Sequence, residues 1–124
     1  MTFYPDLGVL LKKTSQGSAR FVFSDIPVKT IYVLGDGKFT ALANVTWEGR
    51  THALSIDFDD KVITKFFSGR SKELKKLIRD SASTRRLELK ESRLVTVSGY
   101  FGGFVQTAKQ FFVPFIVEDV MGVI

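Results

Sequence analysis

The sequence predicts an all-β domain, a small antiparallel barrel of five or six strands with one main helix. Apolar and polar residues alternate with the period of a strand along most of the chain, whereas helical spacing appears in one region only. The length of 124 residues fits one domain with a single core. Because closure into a barrel protects strand edges most completely, we expect residues 19–120 to form the barrel and helix, after an N-terminal extension over residues 1–18.

Two strands are predicted before the first tight turn. Residues 19–23 alternate and end at a turn-like segment, residues 24–27. Residues 28–34 are rich in β-branched and aromatic side chains, which favour strands. The two glycines of Gly35-Asp36-Gly37 can supply the positive φ angles of a hairpin turn. We therefore expect residues 28–34 to be the first strand of the barrel and residues 19–23 to be an addition before it.

The clearest alternation in the chain predicts an antiparallel meander. One side of the segment 39–47 carries Phe39, Ala41, Ala43, Val45 and Trp47. After a short turn at Glu48-Gly49, the segment 50–58 returns with His52, Leu54, Ile56 and Phe58 on one side. Consecutive strands joined by such short turns pair antiparallel.

The spacing of apolar residues then changes to that of a helix. Between residues 60 and 82, they recur at intervals of three and four. Ser68-Gly69 divides this region into a short helical turn and a main helix over residues 71–82, with Ser71 as the predicted N-cap. The exposed side of this helix would carry Lys72, Lys75, Lys76 and Arg79.

Two further strands complete the predicted barrel. The first covers residues 94–101 and is followed by a turn at Gly102-Gly103. The second covers residues 109–117. Pro114 has no N–H to donate, which predicts an edge strand or a bulge at that position.

This order of elements resembles that of small single-stranded-DNA-binding OB-fold proteins, including the compact phage-type ones. The resemblance lies in five core strands with a helix between the third and the fourth, and in the pattern Val95-Thr96-Val97-Ser98-Gly99-Tyr100-Phe101. It implies a viral or replicative DNA-binding role, with the nucleic acid on the second and third strands and the flanking loops. Bacterial members end in an acidic tail, whereas this chain ends in a short apolar segment, so recruitment of partners through such a tail is not expected.

The charge distribution favours an anionic partner. The chain carries 18 Lys and Arg residues against 13 Asp and Glu, a net charge of +5. Eleven of the basic residues and only four of the acidic ones lie between Lys61 and Arg93. A regional excess of this kind suggests binding to a polyanion, although basic helices are often only solvated faces.

Composition argues against an enzyme. The chain has no cysteine, which excludes a thiolate nucleophile and a cysteine metal site, and its one histidine, His52, makes a histidine metal site or a His-dependent triad hard to build. Asp57, Asp59 and Asp60 could in principle hold a metal, but acidic residues at this position also favour the start of a helix. Neither Gly35-Asp36-Gly37 nor the glycines near residue 100 form a nucleotide-binding motif. We expect no cofactor and no metal.

Nucleic-acid binding needs cations for the phosphates and aromatic faces for the bases. The predicted base- and backbone-contacting residues are Tyr32, Lys38, Phe39, Trp47, Arg50, Arg93, Tyr100, Phe104 and Lys109. The predicted phosphate-contacting cluster is Lys72, Lys75, Lys76, Arg79, Arg85 and Arg86. For any single one of the 12 phenylalanines, burial in the core is the more frequent role.

The hypothesis from the sequence is therefore binding of single-stranded DNA or RNA without sequence selectivity. The alternative is a small protein-interaction subunit or inhibitor that docks on a nucleic-acid-processing enzyme, or a homo-oligomer, through the basic helix or the apolar residues 120–124. No apolar run approaches the roughly 20 residues that span a bilayer. The N-terminus lacks the basic region of a signal peptide, so we expect an intracellular protein with no membrane partner.

Overall fold

The computed structural model describes residues 7–9, 20–80, 82–106 and 111–124. The fold is mostly β, and five strands form one sheet that closes in a ring. The ring strands are β1 (Arg20–Gly35), β2 (Lys38–Trp47), β3 (Arg50–Asp59), β4 (Arg86–Phe101) and β7 (Phe115–Val123). Two short strands, β5 (Val105–Gln106) and β6 (Phe111–Phe112), form a separate hairpin. The helices are α1 (Asp60–Phe66) and α2 (Ser71–Asp80).

The two strands predicted before the first turn are one continuous strand. β1 runs through the predicted break because a bulge between Phe23 and Ile26 absorbs the turn-like residues. Asp25 adopts a positive φ of 54°, and its backbone N–H donates a 3.3 Å hydrogen bond to Thr96 Oγ1 of β4. β1 pairs with β4 from Arg20 to Tyr32 and with β2 from Ile31 to Gly35, so the end of β1 lies between the two neighbouring strands.

The predicted meander is confirmed. β2 and β3 form an unbroken antiparallel ladder from Lys38 opposite Asp59 to Trp47 opposite Arg50. Glu48-Gly49 makes the turn, with positive φ angles at both residues. The apolar side of each strand faces the interior of the ring.

The helical region differs from the prediction in the residues that precede its two helices and in the residue at which the second helix ends. Asp59 caps α1 by accepting hydrogen bonds from the N–H groups of Lys61 and Val62, at 3.1 and 3.0 Å. α2 begins at Ser71, but its first helical bond joins the N–H of Leu74 to the carbonyl of Arg70 at 3.2 Å. Ser71 is therefore the first helical residue and not the N-cap. The helix α2 ends at residue 80, two residues before the predicted end.

The ring closes through β7, and here the prediction of a wholly antiparallel barrel is wrong. β7 pairs antiparallel with β4 but parallel with β3, at Ile56–Phe115 and Asp57–Ile116. The strand predicted over residues 109–117 is split. Pro114 lies between β6 and β7, and its carbonyl accepts a 2.8 Å hydrogen bond from the N–H of Gly102.

The C-terminal residues are part of the sheet. β7 continues to Val123, which pairs with Val95, and Ile124 exchanges backbone hydrogen bonds with Leu94 at 2.8 and 3.3 Å. The segment 120–124, which the sequence offered as a free docking segment, is therefore held by its backbone in the ring. No helix among the described residues has the length and apolar character to cross a membrane.

The core extends into the predicted N-terminal extension. Leu7 and Val9 are buried with the inward side chains of the ring, so residues 7–9 belong to the domain's core. At the centre of the ring, Phe115 packs against Phe23 and Phe101 with ring centroids 4.9 and 5.1 Å apart. The helices add a second layer, in which Phe66 packs on Phe58 at 4.7 Å. Most of the aromatic residues on this side of the sheet fill the core.

Candidate nucleic-acid interface

The outward face of β2 and β3 is mostly polar, with Leu42 and Ala53 as its apolar residues, and carries no aromatic side chain. Its residues are Thr40, Leu42, Asn44 and Thr46 on β2 and Thr51, Ala53, Ser55 and Asp57 on β3, which are paired across the ladder. Phe39 points to the other side. It is only 7% exposed and stacks on Phe58 at 5.9 Å, so it is a core residue and offers no surface to a base. The predicted role of Phe39 is corrected accordingly.

Trp47 lies at the open end of the ring, where β2 meets β3. Its ring is half-buried and packs edge-on against Phe23, at a centroid distance of 6.3 Å. Trp47 also lines a cavity of about 400 Å³ beside the β1 bulge, together with Val22, Phe23, Ser24, Asp25, Asn44, Val45 and Thr46. Its exposed cross-strand partner, Arg50, is the nearest predicted cation. The structure therefore keeps Trp47 and Arg50 together but leaves the indole only partly accessible.

The aromatic residues at the end of β4 have different environments. Tyr100 is half-buried, and the guanidinium of Arg20 lies 5.3 Å from its ring centroid. Arg20 is held there by Glu118, with 2.9 Å between Nε and Oε1, so one face of the tyrosine ring is covered. Phe101 is buried, whereas Phe104 is half-exposed in the connection to β5. Lys109 and the side chain of Phe111 lie outside the described residues.

Arg93 is buried and is not a surface contact for phosphate. Its side chain is inside the fold, with the residue only 9% exposed. Its Nη1 donates a 2.7 Å hydrogen bond to the carbonyl of Phe66 at the end of α1, and its guanidinium lies 5.7 Å from the ring centroid of Phe67. The prediction that Arg93 lies beside the exposed aromatic residues is wrong, because β4 turns this side chain under the helices.

Three of the predicted residues, Tyr32, Lys38 and Arg86, come together elsewhere, on the outward face of β1 and its two neighbours. Tyr32 is 44% exposed and lies directly opposite Arg86 on β4 and Thr40 on β2. Side chains directly opposite each other on neighbouring strands lie within about 5 Å at their Cβ atoms. Lys38 is two residues before Thr40 and therefore on the same face. We call Tyr32, Lys38, Thr40 and Arg86 the Tyr32 patch.

The backbone fixes the edge of this patch. The N–H of Val33 donates a 2.8 Å hydrogen bond to the carbonyl of Arg85, which brings the Arg85-Arg86 pair to the β1 strand. Arg86 is exposed, and its Nε lies 3.5 Å from Glu88, an exposed pair that contributes little. The proximity of Tyr32 to Arg86 depends on a long-range strand pairing, which no local sequence pattern reveals.

The basic side of α2 is exposed, as the helical spacing predicts. Lys72, Lys75, Lys76 and Arg79 all face solvent, while Leu74 is the one fully buried residue of this helix. Arg79 is 3.7 Å from the neighbouring Asp80, again as an exposed pair. α2 is thus available for contacts with phosphates but carries no aromatic side chain of its own.

Two carboxyl groups on the surface of the ring have opposite pKa shifts. Partial burial raises the pKa of Asp57 above its ordinary value, against the effects of the Thr40 hydroxyl, which donates a 2.7 Å hydrogen bond, and of the charge of Lys38. The pKa of Asp119 is lowered, chiefly by the hydrogen bond from Lys65. The acid groups therefore contribute to stability with opposite dependence on pH.

Replacing each of these carboxyl groups by its amide tests this assignment. A raised pKa in the folded state costs stability once the pH exceeds it, so Asp57→Asn is expected to raise the free energy of unfolding at about pH 7 and to have a smaller effect near pH 3. A lowered pKa contributes stability that is lost as the pH falls, so Asp119→Asn should lower the free energy of unfolding at about pH 7, with the difference shrinking on acidification. Urea unfolding at several pH values measures both. Effects of the same sign would contradict the assignment.

The described residues hold no cluster of three potential metal ligands. Asp59, one of the three carboxylates considered from the sequence, uses Oδ1 to cap α1. The single histidine, His52, is buried on the inward side of β3.

Comparison with known protein families, with characterised proteins and with solved structures finds no match for this chain.

Proposed function

We propose that the chain binds single-stranded nucleic acid on the Tyr32 patch, with α2 supplying additional contacts to phosphates. The observation that carries this proposal is an exposed aromatic ring between two cations on one face of a sheet. Bases stack on such a ring without regard to sequence, while Arg86 and Lys38 offer charge to the phosphates on either side. Stacking requires unpaired bases, so the proposal is specific for single strands.

The order of strands and helices in the ring supports the proposal of an OB-type nucleic-acid-binding fold. Its five strands are connected with the helices between the third and the fourth, and the loop between the last two strands carries the β5–β6 hairpin and Phe104. OB folds bind oligonucleotides on strands two and three and on the flanking loops. Here the proposed site is displaced toward β1, because the outward face of β2 and β3 offers no aromatic ring.

Binding is expected to favour a single strand over its own duplex at near-physiological salt, and to depend on the aromatic ring of residue 32. Loss of one stacked base costs about 1–3 kcal/mol, so Tyr32→Leu should weaken binding by roughly 5- to 150-fold. Tyr32→Phe keeps the π-face and should bind nearly as the wild type does. Competition measured by fluorescence anisotropy, with labelled single strand against unlabelled single strand or duplex, tests both expectations.

The control for this experiment is Leu34→Ala, which removes an exposed side chain two residues along β1 without touching an aromatic ring. It should leave binding unchanged. Duplex binding equal to or tighter than single-strand binding would refute stacking. Equal losses in Tyr32→Leu and Tyr32→Phe would assign the effect to the hydroxyl group, and absence of all binding would favour the protein-interaction alternative.

The basic side of α2 should act through charge alone. Removing two phosphate contacts by the double change Lys75→Gln and Arg79→Gln is expected to reduce the slope of log K against log salt by about 1.4 units, at about 0.7 per contact for single strands. Lys61→Gln, on α1, is the single-charge control and should leave the slope unchanged. Binding isotherms at four salt concentrations give the slopes. An unchanged slope in the double variant would make α2 a solvated face.

The alternative, a protein-interaction subunit, has one supporting observation. Leu34 and Leu42 are both more than half exposed on the outward side of β1 and β2. Such residues would add apolar contact area for a protein partner. A partner of this kind should bind without the strong salt dependence expected for a polyanion, which separates the two functions in the same titrations.

A further inference from the structure

Arg93 is a buried cation that forms no salt bridge with a carboxylate among the described residues. Its guanidinium has five N–H donors and keeps its charge in proteins. One donor is bonded to the Phe66 carbonyl, and the Phe67 ring lies beside the group. Throughout the described part of the chain, no acidic side chain forms a salt bridge with it. Since buried charges in proteins are normally paired, the remaining donors of Arg93 are suited to an anion from outside the chain.

These donors border a cavity of about 470 Å³. It lies between the end of α1, the turn that leads into α2 and the last residues of β7. The polar residues of its wall are Lys65, Ser68, Arg70 and Arg93, and the remaining lining residues are Val120, Met121, Gly122, Val123 and Ile124. The wall thus holds three cations and a hydroxyl group, and none of its side chains is acidic.

The cations of the wall have only weak competing partners. Lys65 pairs with Asp119, and Arg70 Nη1 lies 3.8 Å from Glu73 Oε2, but both pairs are exposed to solvent. α2 also begins directly after Arg70, and the unpaired N–H groups at a helix N-terminus favour negative charge. The groove on the other side of Arg93, between α2 and β4, has a mixed lining, in which Arg93 and four other basic residues are accompanied by the acidic residues Glu73, Asp80, Glu88 and Glu91. Positive charge is therefore balanced by acidic side chains in the groove, whereas no acidic side chain in the wall of the cavity balances it.

We propose that this cavity is a binding site for a phosphoryl group. The planar fork of Arg93 matches two phosphate oxygens, and Arg70, Lys65 and the Ser68 hydroxyl are placed to donate to the others. The site does not depend on the proposed binding of single strands at the Tyr32 patch. The phosphoryl group can come from free phosphate and small phosphate esters, or from the phosphorylated end of a nucleic-acid chain.

Thermal unfolding in inorganic phosphate tests the site. At constant ionic strength, maintained with chloride, the unfolding midpoint of the wild type should rise with phosphate and saturate. Arg70→Gln removes one charged donor and should weaken phosphate binding about tenfold, since a hydrogen bond to a charged group is worth about that factor. Lys29→Gln removes one positive charge from an exposed position on β1, outside the cavity, and should bind phosphate as the wild type does. Arg93→Lys can keep a bond to the Phe66 carbonyl but loses the fork, and should abolish saturation.

The proposal is overturned if phosphate stabilises the wild type no more than chloride does, or if Arg70→Gln and Lys29→Gln weaken the effect equally. A second pair of titrations identifies the source of the group. Tighter binding of a 5′-phosphorylated oligonucleotide than of its unphosphorylated form, with the advantage lost in Arg70→Gln, identifies a chain end. Equal binding of the two, with the phosphate effect intact, identifies free phosphate or a small ester. Because the phosphate titration contains no nucleic acid, its failure is distinguishable from failure of the Tyr32 patch.

Discussion

Phe115→Ala should lower the free energy of unfolding by about 3–5 kcal/mol, the usual cost of removing a buried phenylalanine. Phe115 is completely buried at the first position of β7. Its ring meets Phe23 nearly at a right angle, 85°, and Phe101 at 65°, so the change removes two edge-on aromatic contacts together with the buried area. Residue 115 is also one of the two positions at which β7 pairs with β3 and closes the ring.

Urea unfolding followed by tryptophan fluorescence measures this loss, because Trp47 packs on Phe23 in the same cluster. The control is Leu42→Ala, which truncates a side chain that is more than half exposed on β2 and should change stability by less than about 0.5 kcal/mol. A loss below about 1 kcal/mol for Phe115→Ala would mean that the cluster collapses around the cavity or is not closely packed. The total stability of a domain is only about 5–15 kcal/mol, so the expected loss threatens folding itself.

Packing in the aromatic core explains which aromatic residues the sequence alone can assign to the core and which it cannot. The alternation in residues 39–47 correctly separates two sides of β2, and the apolar side contains both Phe39 and Trp47. In a half-buried sheet the apolar side faces the core, so the signal that Phe39 is buried is already in the sequence. Trp47 is on the same side but is half-buried, with its ring edge-on against Phe23, whereas Phe39 is stacked on the ring of Phe58. Both residues lie near an end of β2, so packing against other strands, and not the alternation, decides which aromatic residue remains accessible.

Other features depend on pairings between distant segments. Tyr32 and Arg86 are neighbours because β1 pairs with β4, across more than fifty residues of sequence. The parallel contact between β3 and β7 is equally non-local, and it is the pairing at which the prediction of a wholly antiparallel barrel is wrong. Arg93 lies in an alternating strand beside charged residues, and only the position of α1 over this part of β4 reveals that it is buried. Local patterns predict strands and turns well, but not which strands become neighbours.

Gly99→Ala is expected to destabilise the ring severely, and it is the sharpest test of the pairing between β4 and β7. A Cβ atom at Gly99 would lie 1.9 Å from the carbonyl oxygen of Ile116 and 3.1 Å from Cα of Val117. Both are backbone atoms, so no side chain can rotate away and one of the two strands must shift. Such overpacking usually costs about 1–3 kcal/mol and occasionally more, and we expect the upper end of this range because the register already shifts between Ser98 and Gly99.

Gly122→Ala provides the matched control, because residue 122 lies on β7 opposite Thr96 in the same pair of strands. A Cβ atom there meets no heavy atom within 4 Å, so the substitution should be neutral or stabilise by up to about 1 kcal/mol through the loss of chain entropy in the unfolded state. Urea unfolding of both variants gives the difference directly. Equal stabilities would show that β7 does not approach β4 at Gly99 as described. A large loss for Gly99→Ala alone would instead establish the contact that holds the last strand in the ring, and with it the wall of the cavity beside Arg93.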